Sequence, residues 1–324
     1  MDKNLLVTGC SGFIGFNTVI EAISEGNFVI GIDNLESTYD SNLKSIRLKE
    51  LNKLKNFEFI HKDIKDKDII KKIIDEKKID CVVNLAAKAG VRKSISQPSD
   101  YYQTNLMNTL NILEVLKLYP HVNLIQASTS SVYGNTKGKF VEDNTSINQI
   151  SPYASSKKAA EDLCYVYSHI YNLKITILRF FTVFGPYGRP DMSIFRFIHW
   201  IYQGESLKIN GDGEQKRDFT YVSDVVRGIL SSIEPNWRYE IINLGSDHPY
   251  SINYVIKLIE NYFDINSKKE YGPSDPSDIR STQASIGKAK KILNWSPKIS
   301  IEEGIIQTCK WYEENEDWAR KLEY

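Results

Sequence analysis

The chain has 324 residues, enough for one large domain or two intimate lobes. Lys plus Arg equals Asp plus Glu at 41 each, so no net charge marks a nucleic-acid surface, and the hydrophobic and charged shares of 41% and 25% are those of an ordinary globular protein. Cys10, Cys81, Cys164 and Cys309 form no CxxC pair, which points to reduced thiols in a cytoplasmic protein and away from zinc or disulfides.

Leu5-Leu6-Val7 meets Gly9 at once, which predicts a buried strand ending in a turn. This early apolar run is read as leaving no room for a signal peptide, and no stretch of about 18 apolar residues offers a membrane span. Helical spacing follows over 13–25, with Gly26 as the stop. A second apolar run, 28–32, ends at Asp33 and completes a β-α-β unit of about 30 residues. The alternation continues with a strand at 57–60 and an amphipathic helix at 67–77 that carries Ile69, Ile70, Ile73 and Ile74 on one face. The lysines between 62 and 78 are offset by aspartates and read as a solvated face. A strand at 81–85, a helix at 101–118 and a strand at 123–127 come next. Ser151-Pro152 opens a helix that runs to about 171, and a strand follows at 174–179. Such alternation predicts an α/β fold with a Rossmann-type, doubly wound parallel sheet.

After Gly185 the rhythm changes, with Pro186, Pro190, Gly211 and Gly213 punctuating shorter elements. Residues 1–185 are expected to form a Rossmann-type domain. Residues 186–324 are expected to form a smaller α/β substrate lobe over the carboxyl ends of the strands, with some elements returning to the first domain.

Thr8-Gly9-Cys10-Ser11-Gly12-Phe13-Ile14-Gly15 is a GxxGxxG turn between a strand and a helix. Its glycines allow a tight turn and a close approach to a pyrophosphate, which the helix N-terminus would bind. A glycine-rich turn without a ligand is the bland alternative; the acidic residue at the end of the second strand favours a dinucleotide. That residue, Asp33, can accept hydrogen bonds from ribose hydroxyls and would repel a ribose phosphate, and no arginine follows it directly. This favours NAD over NADP, although a turn-capping aspartate would look the same.

Tyr153 and Lys157 lie four apart in the Ser-Pro helix, so phenol and ammonium share a face. The ammonium is expected to lower the phenol pKa and let Tyr153 exchange a proton at neutral pH. Thr129, Ser130 and Ser131 end the preceding strand and can hydrogen-bond the substrate oxygen. Alone, a Tyr-x-x-x-Lys pair would most often be a surface helix.

The glycine turn, Asn84-Leu85-Ala86-Ala87, the hydroxyl cluster and Ser-Pro-Tyr-x-x-x-Lys occur here in order. Together they resemble the extended short-chain dehydrogenase/reductase family. The segments 179–186, 188–192 and 217–224 are similar to those of nucleotide-sugar epimerases, the UDP-glucuronate 4-epimerases above all. The resemblance runs from Leu5 to Pro297. It implies that Gly9, Gly12, Phe13, Ile14, Gly15, Asp33, Asn34, Asp63, Ile64, Leu85, Ala86, Ala87, Lys88, Tyr153 and Lys157 contact NAD. It implies that Thr129, Tyr153 and Lys157 are catalytic. Arg92, Thr129, Ser130, Ser131, Thr182, Arg189, Arg217 and Arg280 would bind the UDP-sugar, Arg217 at the diphosphate. Asn105 would be structural. The resemblance also implies a homodimer joined by helices 101–118 and 153–171. Three departures stand out: Phe16 in place of a small polar residue, Gln283-Ala284-Ser285 in place of aromatic-Ala-Asp, and Lys88 at a position often uncharged.

The implied reaction is redox-neutral. Tyr153 takes the proton of the sugar 4-hydroxyl, C4 is oxidised to a ketone, and reduction from the other face inverts it. Dehydratases of this kind carry an acid at the positions of Ser130 and Ser131, and UDP-xylose-forming relatives carry a Glu at Ser131. Thr182, with the hydroxyl cluster, would favour a C6 carboxylate, since hydrogen bonds to an anion are the stronger ones. The bland alternative is that Thr182 fills space and Arg189 pairs with Asp191. Competing readings are a 4-epimerase for UDP-glucose or UDP-N-acetylglucosamine, and a catalytically silent NAD-binding regulator.

Overall fold

A computed structural model describes residues 2–36, 39–144, 148–274 and 279–323. The strands in chain order are β1 (Asn4–Thr8), β2 (Phe28–Asp33), β3 (Phe57–His61), β4 (Cys81–Asn84), β5 (Asn123–Thr129) and β6 (Ile175–Phe180). They continue with β7 (Thr182–Phe184), β8 (Leu207–Asn210), β9 (Lys216–Tyr221), β10 (Tyr239–Leu244), β11 (Pro249–Ser251) and β12 (Lys269–Gly272). Strands β1 to β6 and β10 build one parallel sheet in the order β10-β6-β5-β4-β1-β2-β3. The apolar runs of the inner strands are buried on both faces, as a parallel sheet sandwiched between helices requires. The chain leaves β1 toward β2 on one side and reaches β4 on the other, so a crevice opens at the carboxyl ends of β1 and β4. Ligands of doubly wound sheets sit at such a switch point.

The chain returns to this sheet late. β10 pairs with β6 along its whole length, and helix Val222–Leu230 packs on helix Phe13–Ser24. The remaining strands form the small sheets β11-β9-β7 and β12-β8, covered by helices Ser193–Gln203, Ile252–Phe263 and Ile301–Glu314 around a second core.

The structure corrects one reading and adds one helix. The helix expected over 101–118 is helix Pro98–Tyr102, a π-helical turn at Gln103–Met107, and helix Asn108–Leu116. The wide turn centres on buried Asn105, whose amide clamps both sides of the Lys88 backbone: Oδ1 accepts from Lys88 N (2.9 Å) and Nδ2 donates to Lys88 O (3.0 Å). Nδ2 also donates to Ser156 Oγ (3.0 Å), tying the loop to the Pro152–Tyr171 helix. Single π turns of this kind gather at functional sites. Helix Asn42–Leu51 escaped the periodicity reading because an arginine holds a core position: its buried residues are Leu43, Arg47 and Leu51. Arg47 donates to Ser11 O (3.1 Å), Tyr39 Oη (2.7 Å) and Tyr187 O (2.6 Å), fastening the glycine turn to the second lobe.

Candidate active site

A cavity of about 1070 Å³ runs across the carboxyl ends of the sheet, and every residue assigned to the cofactor lines it. Its floor is the glycine turn. Gly9 has φ +68°, and a Cβ there would meet Ala86 N at 2.8 Å; at Gly15 a Cβ would lie 2.2 Å from Gly9 O. Gly12 is the N-cap of helix Phe13–Ser24 and has no side chain to cap it, so the free N–H groups of the first turn remain available to an anion.

At one end of the cavity stands the Asp33 carboxylate. It accepts from Ser11 N (3.1 Å) and Leu35 N (2.8 Å), and Lys44 Nζ bonds it at 2.9 Å. Asn34 Nδ2 donates to Asp63 Oδ2 (3.0 Å), and Lys65 N donates to Asp63 Oδ1 (2.9 Å), which links the loops after β2 and β3. Lys44 was not seen in the sequence. It lies eleven positions beyond Asp33 (44 − 33), inside a helix whose face was itself hidden.

At the other end are Tyr153 and Lys157. Ser151 Oγ caps their helix by accepting from Ala154 N (3.1 Å), with Pro152 in the first turn. Burial pushes Tyr153 above its usual value, and the opposing pulls are a hydrogen bond with Thr129 and the charge of Arg189. Burial also lowers Lys157 to about 8, against the pull of the Glu161 carboxylate one turn along. Glu161 is pinned by a two-pronged pair with buried Arg179 (2.9 and 2.7 Å) and by Ser128 Oγ (2.5 Å). Ser128 lines the cavity, so one buried carboxylate connects the end of β5 to the helix of Tyr153 and Lys157. Glu161 and Ser128 were likewise unread. The signal was there as one more i, i+4 step from Lys157.

The expected substrate residues are more scattered. Thr129 accepts from Ser131 N (3.2 Å) and donates to Ser131 Oγ (3.3 Å), which organises the Ser130–Tyr133 turn beside Tyr153. Thr182 opens β7 and faces a second cavity of about 20 Å³, which Arg189 also lines. Arg189 borders the large cavity too. It forks onto Asp191 (3.0 and 2.6 Å), donates to Ala89 O (3.3 Å) and lies 5.3 Å over the Tyr39 ring. The Arg189–Asp191 pair that the spacing allowed is therefore present. Arg92 reaches across to β8, where the side-chain oxygen of Asn210 accepts from its two terminal nitrogens (2.8 and 2.9 Å) once that amide is oriented to suit. Arg217 donates to Ile279 O (2.6 Å), and Arg280 forks onto Asp212 (2.9 and 3.0 Å) at the surface. Arg92, Arg217 and Arg280 thus gather around residues 210–217, away from the lining of the large cavity.

The departures also find places. Phe16 is fully buried and packs on Tyr187 with ring centroids 4.5 Å apart. Lys88 pairs with Asp100 (2.7 Å), and Gln283 Nε2 donates to Asp247 O (2.8 Å).

The family described as GDP-mannose 4,6 dehydratase matches residues 6–308. The UDP-glucuronate 4-epimerase of Thermodesulfobacterium geofontis is 47% identical over 318 residues, 98% of each chain. Among solved structures, UDP-glucuronic acid 4-epimerase from Bacillus cereus, in complex with UDP-glucuronic acid and NAD, superposes with a TM-score of 0.90 at 34% identity, covering 96% of this chain and 99% of that one. UDP-glucose 4-epimerase from Thermotoga maritima, with UDP-glucose, gives 0.89 at 32% identity over the same shares. The glycine turn at the switch point, the Tyr153–Lys157 face and a family match over most of the chain agree: this chain belongs to the extended short-chain dehydrogenase/reductase enzymes, in the family described as GDP-mannose 4,6 dehydratase.

Proposed function

We propose that the protein is an NAD-dependent isomerase that inverts C4 of UDP-glucuronate to give UDP-galacturonate through a transient 4-ketone. The observation that carries this reading is the meeting of Tyr153, Thr129 and Lys157 at the end of a cleft whose remaining wall suits a dinucleotide. Bound NAD would accept the C4 hydrogen with its electron pair and later return it. Gly9, Gly12 and Gly15 leave room for the pyrophosphate, and the first turn of the helix neutralises it. Asp33 would take the adenosine ribose hydroxyls. Lys157 forms no hydrogen bond with a described residue, so its ammonium is free to meet the nicotinamide ribose and to favour the ionised phenol. Tyr153 then removes and restores the 4-hydroxyl proton, and Thr129 hydrogen-bonds the same oxygen.

The family description names a dehydratase, but hydroxyls stand at Ser130 and Ser131 where elimination needs an acid. Thr182, with these serines, would hold a C6 carboxylate. That restraint matters because a uronate oxidised at C4 is a β-keto acid, which loses carbon dioxide when its carboxylate bond aligns with the ketone. Arg217 would bind the diphosphate, with Arg92 and Arg280 at its flank. A neutral UDP-hexose is the second reading, favoured by one feature: Arg189 is already balanced by Asp191 and offers little net charge to an acid. We divide the molecule at 185/186 into a cofactor domain and a substrate lobe whose β10 and Val222–Leu230 segments serve the former.

Tyr165, Val166 and Ile170 on one helix and Met107 and Leu118 near another are exposed apolar residues, which supports a homodimer through these helices. Four buried, unpaired cysteines suit a reducing cytoplasm, and no helix among the described residues is long and apolar enough to cross a membrane. The test is incubation of the NAD-loaded protein with UDP-glucuronate, UDP-glucose and UDP-N-acetylglucosamine, with products separated by chromatography. UDP-galacturonate is expected as the fastest-formed product; faster turnover of a neutral sugar would overturn the acid-specific reading.

A further inference from the structure

Helix Asn42–Leu51 places a cation at one of its three buried positions: Arg47 is fully buried between Leu43 and Leu51. No carboxylate among the described residues pairs with it, and its hydrogen bonds go to Ser11 O, Tyr39 Oη and Tyr187 O. An apolar side chain of that volume would fill the same stripe without the cost of desolvating a charge. What the arginine supplies is therefore the bonds themselves, and they join segments far apart in the chain.

The Tyr187 end is strained. Tyr187 lies in the left-handed region (φ +58°), which a bulky side chain rarely adopts. Such a conformation persists only where its surroundings over-determine it, and it tends to gather at functional sites. Here Arg47 Nη2 holds the Tyr187 carbonyl at 2.6 Å, the shortest of its three bonds. The Tyr187 ring packs on Phe16 (4.5 Å) and Trp311 (5.1 Å). Two residues on stands Arg189, which borders the large cavity. Arg189 lies over the same Tyr39 ring whose hydroxyl accepts from Arg47. It also donates to Ala89 O (3.3 Å), an oxygen it shares with Tyr101 Oη (3.3 Å). Tyr101 in turn stands edge-on to Tyr153, with ring centroids 6.1 Å apart. One chain of contacts thus runs from the glycine turn through Arg47 and Arg189 to the catalytic phenol.

We infer that Arg47 is a positioning residue: by fixing the strained Tyr187 peptide and the Tyr39 hydroxyl against the glycine turn, it holds the Arg189 guanidinium at the cleft for the sugar nucleotide. This rests on the proposed reading of the cleft, in which Arg189 meets the substrate. Arg47 has no exposed surface and does not line the cavity, so its effect must pass through the residues it holds.

The test is titration calorimetry of UDP-glucuronate onto NAD-loaded protein in a Tyr153→Phe background, which lacks the proton acceptor and binds the substrate without turning it over. Arg47→Met should weaken binding roughly tenfold, the scale of one charge-assisted hydrogen bond misplaced. Arg189→Ala should weaken it by a similar factor. The double variant should bind no more weakly than Arg189→Ala alone, since one contact can be lost only once. Arg47→Lys keeps the charge but lacks the fork that spans separate acceptors, so its loss should be smaller, and it too should vanish beside Arg189→Ala. That second variant keeps the cycle readable if Arg47→Met does not fold. A merely structural arginine would lower the melting temperature and leave the affinity of the folded protein unmoved, and that result overturns the inference. Losses that multiply in the double variant overturn it as well. Background protein that binds no UDP-sugar would refute the epimerase reading itself; background protein that binds UDP-glucuronate, with an affinity that Arg47 substitutions leave alone, refutes only the role of Arg47.

Discussion

The two ends of the catalytic groove are prepared to different degrees. On the cofactor side, one continuous cavity is bordered by backbone N–H groups, by a carboxylate already oriented by Ser11, Leu35 and Lys44, and by Lys157, which hydrogen-bonds no described residue. On the substrate side, the cations are committed to the protein: Arg189 to Asp191, Arg280 to Asp212, Arg217 to Ile279 O and Arg92 to Asn210. A site that keeps its tightest ligand through every turnover can be built rigid in advance. A site that must admit a substrate, let a ketone intermediate turn over and release a product benefits from charges that exchange partners. The fold supplies this division. The dinucleotide end stands on strand termini of one sheet, whereas the arginines stand on turns and short strands of the second lobe.

The most severe test of the comparison strikes the prepared end. Tyr153→Phe keeps the ring and removes the proton acceptor, so kcat should fall about a hundred- to ten-thousand-fold, the usual cost of losing a positioned acid–base group. NAD affinity, measured by fluorescence titration, should stay close to wild type. Near-normal turnover would remove Tyr153 from the chemistry.

Next in size comes the exchanging end. Thr182→Ala deletes one bond to the carboxylate, about 1.5–3 kcal/mol for a charge-assisted hydrogen bond, or roughly ten- to a hundredfold in rate. The loss should fall on UDP-glucuronate and spare UDP-glucose, and with the carboxylate less restrained NADH and pentose products should accumulate. Equal losses on both sugars would show that Thr182 only fills the space beside β7.

The same contrast decides how much the sequence revealed. Dinucleotide features are local backbone demands, so Gly9 and Gly15, the helix start and Asp33 could be read from spacing alone, and all of them border the cavity. What could not be read are contacts made by long side chains from distant elements. Lys44 reaches Asp33 from a helix disguised by Arg47 in its core stripe, and Tyr39 sits between Arg47 and Arg189. Periodicity also cannot report one inserted residue, which is why the helix around Asn105 looked continuous. The pairing of Arg189 with Asp191, two residues on, was legible as an alternative. The bond from Arg92 to Asn210 was not, because it joins segments that only the return of the chain brings together.

The lysine of the prepared end gives the third effect. Burial brings Lys157 to about 8 from its ordinary 10.5, so above that pH the free enzyme loses the cation that favours the ionised phenol. Activity as kcat/KM should fall about tenfold per pH unit beyond the midpoint. Stability should move the other way. Between about 8 and 10.5 the unfolded chain binds more protons than the folded one at this group, and the contribution of Lys157 to folding then grows as pH rises. A pH–rate profile paired with thermal melts separates the two, and an alkaline activity loss that tracks unfolding would assign the limb to something other than Lys157.

The smallest effect belongs to Arg280, and it bears most directly on whether the substrate side is held by pairs that exchange. Arg280 and Asp212 are both well exposed, at 68% and 55% of their side-chain surface, and they meet in a forked contact. Pairs so exposed contribute little to stability, because water and salt screen them and two long side chains lose freedom in forming them. Arg280→Ala should therefore leave thermal stability nearly unchanged. If the guanidinium swings to the nucleotide when substrate binds, the variant should raise KM by no more than about fivefold, with kcat intact, and the difference should shrink as salt is added. If the fork onto Asp212 is its whole role, KM will match wild type at every ionic strength. A large fall in kcat would contradict both accounts, since Arg280 would then have to act on the reacting carbon itself.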